Sequence, residues 1–244
     1  MSVFDFTLKS QFVPRIGLIA LQTDERIEQD FRRLLPADVD FFVSRVPSGL
    51  DVTPETLQAM DDAIPVAAKL LPQSQTYDAI GYGCTSGTAQ IGAKRVSEQV
   101  RAGAHAQAVS NPLSALIEVC NALNMKRIAF LSPYVEAVSD RLRQALTNAG
   151  IATPVFGTFA EAEEARVARI SQESLVSAGT KLVADQEVDG LFLSCTNLDT
   201  LDVVPVLRAR SGLPVLSSNQ VLAWHLCRLA GVSPLQDPAF DIFG

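Results

Sequence analysis

A chain of 244 residues, 48% of them hydrophobic and only 19% charged, can bury a large core and suits an α/β protein whose central strands are covered on both faces. A formal net charge of −7, with no basic run of five or more residues, excludes the electrostatics of nucleic-acid binding and argues against an anionic membrane as partner. No apolar run approaches a membrane span and the start, Met1-Ser2-Val3-Phe4-Asp5-Phe6, is not a secretory signal, so four cysteines without close pairing read as free thiols in a reducing cytoplasm.

Apolar runs of strand type fall at 15–21, 39–46, 78–83 and 105–110, then at 127–132, 151–157, 189–194 and 213–217, with helical patterns between them. Helix starts are marked by Thr53-Pro54 and Asn111-Pro112, because an N-cap side chain serves the first amides and proline fits where an amide has no helical partner. Pro65 predicts a kink or break within the 54–71 pattern. Asn148-Ala149-Gly150 and Ala230-Gly231 read as helix stops, and a helix near 111–126 joins the two halves.

The halves are related. Tyr77-Asp78-Ala79-Ile80-Gly81-Tyr82-Gly83-Cys84-Thr85-Ser86 resembles Val188-Asp189-Gly190-Leu191-Phe192-Leu193-Ser194-Cys195-Thr196-Asn197, with the two cysteines 111 positions apart. Arg15 to Ile19 matches Arg127 to Leu131 at an offset of 112, Asp38 to Val46 matches Ile151 to Phe159 at 113, and Val109-Ser110-Asn111 matches Ser217-Ser218-Asn219 at 108. Four matches in one order predict two pseudo-symmetric lobes, 14–112 and 113–218, with the last segment, 219–244, returning to the first. Each lobe reads as a parallel four-stranded sheet flanked by helices. Right-handed crossovers put the ligand crevice at the carboxyl ends of the strands, so facing lobes would set Cys84 and Cys195 on opposite walls of one cleft. Whether the chain forms a homo-oligomer is left open.

A thiolate is both nucleophile and base, and a helix N-terminus lowers its pKa. Cys84 precedes Thr85-Ser86-Gly87-Thr88 and a helical pattern, and Cys195 precedes Thr196-Asn197 and a similar turn into helix. Backbone amides at such turns also hold carboxylates, which points to a small carboxylic acid between two thiols. Inverting or isomerising a carbon next to a carboxylate needs a donor and an acceptor on opposite faces, and two thiols supply both without a cofactor. The competing reading is that both are buried structural cysteines. For Cys120 and Cys227, inside apolar helical patterns, core packing is expected; His105 and His225 read as structural histidines. No Cys-x-x-Cys or His-x-x-x-His spacing predicts a metal site, and Gly81 to Gly87 fits neither a dinucleotide fingerprint nor a P-loop.

At these residues the chain resembles the Asp/Glu racemase superfamily, in the branch that holds maleate cis-trans isomerases and arylmalonate decarboxylases. The likeness runs from Ile16-Gly17-Leu18-Ile19 through Leu193-Ser194-Cys195 and Leu213 to Ser218, ending near Ala230-Gly231. Amino-acid racemases of the superfamily carry Asp-Ser-Gly after the first strand and Cys-Thr-His at the second cysteine; here Leu21-Gln22-Thr23 and Cys195-Thr196-Asn197 stand there. Arylmalonate decarboxylases carry glycine at the position of Cys84, which speaks for a two-thiol reaction. The resemblance to maleate isomerases implies Cys84 as nucleophile, Cys195 as acid and Tyr134 as a carboxylate donor, with Thr85, Ser86, Thr196 and Asn197 around the substrate. Gln22 or Thr23 replaces an asparagine usual after the first strand, so both are candidate substrate contacts. The leading expectation is a cofactor-independent isomerase of a small mono- or dicarboxylate. A racemase of an α-substituted acid is the alternative, followed by an arylmalonate-type decarboxylase, a non-catalytic carboxylate-binding protein and, weakest, a disulfide-forming oxidoreductase.

Overall fold

In a computed structural model that describes residues 1–8, 13–233 and 242, the chain forms two four-stranded parallel sheets with the same strand order. The first half runs β1 (Arg15–Leu21), α1 (Ile27–Leu34), β2 (Asp40–Val46), α2 (Pro54–Ala59), α3 (Ile64–Lys69), β3 (Tyr77–Gly83), α4 (Thr85–Ile91), α5 (Ala93–Gly103), β4 (Ala106–Ser110) and α6 (Pro112–Ala122). The second runs β5 (Arg127–Tyr134), α7 (Glu136–Asn148), β6 (Ala152–Glu161), α8 (Glu164–Val167), α9 (Gln172–Val183), β7 (Gly190–Leu193), α10 (Val203–Ser211), β8 (Val215–Ser217) and α11 (Ser218–Leu229). The sheets are ordered β2-β1-β3-β4 and β6-β5-β7-β8, so β1 corresponds to β5 and β3 to β7. In both, the order reverses beside the first strand, which is where an open α/β sheet leaves its ligand crevice.

Local chemistry sets the boundaries. Thr53 and Thr56 form a reciprocal capping box at the start of α2, and the Asn111 side chain accepts from the Ser114 amide at 2.8 Å to cap α6. Pro65 does break the helical run: α2 ends at Ala59, a 3-10 turn covers Asp61–Ala63, and Pro65 sits in the first turn of α3. Past the ends of α7 and α11, Gly150 and Gly231 take the left-handed turn at φ +81° and +68°. The helix expected directly after Cys195 is absent. Residues 194–202 form turns, and α10 starts only at Val203, because the buried polar side chains of this stretch are engaged across the molecule, with the Asn197 side chain spanning Glu25 and Glu164.

The two halves exchange their last helices. Leu113, Leu116, Val119 and Cys120 of α6 pack with Ile128 and Phe130 of β5, Phe192 of β7 and Leu216 of β8, on the second sheet. Leu222, Ala223, Leu226 and Cys227 of α11 pack with Ile16 and Leu18 of β1, Ala79 of β3 and Phe31 of α1, on the first. Gly81 permits that approach, since a Cβ there would lie 2.8 Å from Leu226 Cδ1. Cys120 and Cys227 are both fully buried in these helices, as their apolar contexts predict. Of the expected returning segment 219–244, residues beyond 233 other than 242 lie outside the described residues.

The exchange also buries an acid. Asp30 of α1 accepts from Asn219 Nδ2 of α11 at 2.7 Å, and the same nitrogen reaches the Thr196 carbonyl at 2.8 Å. Burial pushes the Asp30 carboxyl up to about 7 against that hydrogen bond, and Asp199 and Asp24 push the same way. Asn219 Oδ1 is buried with no donor, and a protonated Asp30 could supply one. Because the folded-state pKa is raised above its ordinary 3.8, the contribution is fully present at acid pH and is lost as pH rises through about 7. Melting temperatures at pH 5 and pH 8 are therefore expected to differ by several degrees in the wild type and much less in Asp30→Asn, whose amide can donate to Asn219 at both.

Candidate active site

Four strands deliver side chains to one closed space between the sheets. Leu21 ends β1, Cys84 follows β3, Tyr134 ends β5 and Cys195 lies just after β7; with Val52, Leu57, Thr85, Ser86, Glu164 and Thr196 they line a narrow cavity of about 10 Å³. That space holds room for no more than about one water molecule. A larger open groove along α9 and α10 contains neither cysteine. The cavity is shut by main-chain pairing between the halves: Asp51 bridges Glu163, with Val52 N donating to Ala162 O at 2.9 Å and Glu164 N to Leu50 O at 3.0 Å.

The two thiols sit in different surroundings. Cys84 is the N-cap of α4, its Sγ accepting from the Gly87 amide at 3.1 Å, as its sequence context predicts. Its pKa nevertheless does not fall. Burial pushes the thiol up to about 12, outweighing the Gly87 amide, and the charges of Glu164 and Asp24 act with burial. Cys195 is pushed well above the ordinary thiol range, first by burial and then by Glu164, against its hydrogen bonds with Tyr134 and the Asn197 amide. The expectation of pKa values lowered by helix termini is thus reversed: Cys84 has one helical turn of amides but almost no water, and Cys195 has no helix start beside it at all.

Beside Cys195 stands a buried chain of donors and acceptors in which Tyr134 and Asn197, both candidates from the sequence, meet Glu164, which sequence reasoning missed. Tyr134 Oη donates to Glu164 Oε1 at 2.8 Å and lies 3.0 Å from Cys195 Sγ. Tyrosine has one proton, so with Glu164 receiving it, the Cys195 S–H is left to donate to the tyrosine oxygen. The second Glu164 oxygen accepts from Asn197 Nδ2 at 2.8 Å, while Asn197 Oδ1 accepts from the Glu25 amide at 2.9 Å. Burial raises the Glu164 carboxyl above its usual range although Asn197 and Tyr134 pull it down, and nearby Asp24 raises it further. Asp24 is itself raised by burial, despite the Ile27 and Arg26 amides. Both acids lie in stretches that read as exposed: Glu164 belongs to the charged run Glu161 to Arg166, and Asp24 to the polar turn after β1. Only their three-dimensional neighbours distinguish them.

The remaining candidates divide. Thr85 Oγ1 donates to Ser218 Oγ at 2.9 Å, Ser218 Oγ also accepts from the Cys195 amide at 3.1 Å, and Thr196 Oγ1 donates to the Gly83 carbonyl at 3.3 Å, so these hydroxyls tie the two cysteine loops together. Ser86 is buried at the cavity wall. Gln22 is exposed, its amide continuing the strand pairing to the Val46 carbonyl at 2.9 Å, and Thr23 turns to Ser48 Oγ at 3.1 Å; neither lines the cavity. His225 Nδ1 pairs with Ser110 Oγ at 2.8 Å, a structural contact away from both thiols. Among the described residues no cluster of His, Cys, Asp and Glu could hold a metal ion, and no helix is long and apolar enough to cross a membrane.

Two thiols and a tyrosine–carboxylate pair at the strand ends of a doubled parallel sheet define an enzyme-like site. A family model described as arylmalonate decarboxylase matches residues 51–240, and the chain belongs to that family. The arylmalonate decarboxylase of Bordetella bronchiseptica is 28% identical over 233 residues, covering 93% of this chain and 95% of that one. The maleate isomerase of Nocardia farcinica is 25% identical over 227 residues, covering 88% and 90%. A liganded arylmalonate decarboxylase with a glycine-to-cysteine and a cysteine-to-serine exchange superposes with a TM-score of 0.80 at 27% identity, covering 93% and 97%. These relatives place the fold in the maleate isomerase and arylmalonate decarboxylase branch of the Asp/Glu racemase superfamily, and the chain among its enzymes.

The raised thiols carry a measurable consequence. With the protein folded, alkylation of Cys84 by iodoacetamide, mapped by mass spectrometry, is expected to be far slower at pH 7 than for a free thiol and to keep climbing above pH 10, since only thiolate reacts and Cys84 ionises near 12. A rate that levels near pH 9 or below would contradict the burial argument. Tyr134→Phe should cost about 1–3 kcal/mol in urea unfolding, because it strips Glu164 Oε1 of its donor inside the protein.

Proposed function

We propose that this chain is a cofactor-independent isomerase of a small carboxylic acid that works with Cys84 and Cys195 on opposite sides of its substrate, in the manner of a maleate cis-trans isomerase. The observation that carries this reading is that both thiols, delivered by corresponding strands of two related sheets, line a single closed cavity. The functional unit would be 14–112 with α11 facing 113–218, and the four free, buried cysteines suit a reducing cytoplasm.

In the reaction, Cys84 releases its proton to water as the site opens for substrate, and the resulting thiolate adds to one alkene carbon. The π pair moves to the neighbouring carbon and its carboxylate, the former double bond rotates, and elimination returns the thiolate with the other isomer. Cys195, held protonated against Tyr134, supplies a proton to the carbanion and recovers it before elimination. The Ser86 hydroxyl lines the cavity where the enolate charge develops and electrostatic stabilisation usually contributes most, while Thr85 and Thr196, whose protons go to Ser218 and the Gly83 carbonyl, hold the cysteine loops around it. Racemisation is the second reading: one thiol removes an α-proton while the other delivers one to the opposite face. Decarboxylation is weakened, because Cys84 stands where the resemblance gives decarboxylases a glycine.

Cys84→Ala and Cys195→Ala are each expected to lower turnover by ~10³-fold or more while leaving the melting transition intact. The assay is proton NMR in deuterated buffer over a panel of small carboxylates, which sees alkene isomerisation and α-deuterium exchange together. Retention of most activity by either variant would remove the two-thiol mechanism.

A further inference from the structure

The cavity holds an acid and no base. Among the described residues lining it there are three apolar side chains (Leu21, Val52 and Leu57), hydroxyls, the two thiols and the Glu164 carboxyl, but no lysine, arginine or histidine. Glu164 is 3% exposed and its carboxyl is fixed from both ends, by Tyr134 Oη on one oxygen and Asn197 Nδ2 on the other. Asn197 donates to one oxygen and Tyr134 holds the other, so the group is fixed in place, and each of its oxygens keeps a second lone pair for a ligand. Burial by itself favours the neutral carboxyl, and an arriving ammonium would hold it as the carboxylate. Asp24 stands behind it, close enough for its charge to act on Glu164 and on both thiols.

A dicarboxylate brought into this space would set its second negative charge against the buried Glu164 carboxyl, with little water to screen it and no basic side chain among the lining residues to receive it. An ammonium group in the same place would meet a preformed, doubly anchored acceptor. We infer that the substrate is an amino acid in the broad sense, a small carboxylate that also carries a cationic amino group received by Glu164, and not a dicarboxylate. This rests on the reading above only in placing the substrate between Cys84 and Cys195. The Ser86 hydroxyl is the lining donor left for the single carboxylate, because Thr85 and Thr196 already donate to Ser218 Oγ and the Gly83 carbonyl. Tyr134 is then not a direct carboxylate contact: its hydroxyl is committed to the protein's own Glu164 and acts by positioning it.

Matched ligand pairs test this without knowledge of the true substrate. β-Alanine and succinate differ by an ammonium in place of a carboxylate, as do 4-aminobutyrate and glutarate. Dissociation constants measured by ligand-observed NMR on the wild-type protein are expected to favour the amino acid of each pair by tenfold or more, and Glu164→Gln should reduce that preference to less than threefold by weakening the amino acid and admitting the dianion. Equal affinities, tighter binding of the dianion, or no binding of either amino acid at millimolar concentration overturns the inference. If Glu164→Gln does not fold, the wild-type comparison decides the matter alone. The two readings fail separately: turnover surviving Cys84→Ala or Cys195→Ala removes the thiol mechanism and leaves the ligand preference standing, whereas a dianion preference with thiol-dependent turnover does the reverse.

Discussion

Exclusion of water from the space between four strand ends is the constraint on which the rest of this site depends. It decides the protonation of both thiols, since burial outweighs every hydrogen bond offered to their sulfurs. It also makes the Cys195–Tyr134–Glu164 chain a set of strong contacts, because a hydrogen bond in a dry interior has no water to compete with it. Water stays out only while the lobes stay together. Their cross-lobe ion pairs, such as Arg33–Asp202, Arg26–Asp199 and Arg169–Glu25, are partly exposed and each contributes at most about 1 kcal/mol. The exchanged helices weigh more: Leu222 and Leu226 alone, fully buried on the opposite sheet, are worth roughly 1.5–3 kcal/mol each.

The same comparison separates the permanent from the movable part of the seam. Parting α11 from the first sheet would expose a helix face, but parting residues 50–52 from 162–164 breaks two main-chain hydrogen bonds, a net ~0.5–1.5 kcal/mol each. Leu50 in that strap is already mostly exposed. A cavity with room for about one water molecule cannot take a carboxylic acid as it stands, and this strap, which carries Val52 and adjoins Glu164, is the weakest barrier around it.

Much of this architecture is legible in the sequence because the signals are local. Apolar runs, N-cap and proline pairs and stop glycines each act within a few residues, and the repeat doubles the information, so strands, breaks and the position of both cysteines follow from it. The parts that were not legible are those set by contact across the chain. Cys195 has the letters of a turn into helix, but Asn197 is drawn to Glu164 and Glu25 and the helix waits until Val203. Glu164 reads as one charge in an exposed acidic run, and it is buried only because the strap and Tyr134 close over it. Gln22 follows a buried strand, yet main-chain pairing to Val46 turns it outward. The thiol pKa values fail for the same reason: the helix N-terminus is a sequence feature, whereas desolvation is a property of the whole fold.

The doubled sheet suggests two equivalent thiols, and the side chains around them break that equivalence. Cys84 faces the Gly87 amide, a donor that favours thiolate, and burial lifts it to about 12. Cys195 accepts from the Asn197 amide at 3.2 Å, is joined through Tyr134 to the buried Glu164 carboxyl, and is likewise pushed well above the ordinary thiol range. Cys195, tied through Tyr134 to the buried Glu164 carboxyl, is the thiol placed to stay protonated. A site built this way holds a nucleophile or base on the first lobe and a proton donor on the second, and reversing their roles would require a thiolate beside Glu164, the less favourable of the two arrangements. The asymmetry thus comes from the helix N-cap at Cys84 on the first lobe and the Tyr134–Glu164 link at Cys195 on the second, and Glu164 is the same residue that bears on what the cavity can accept.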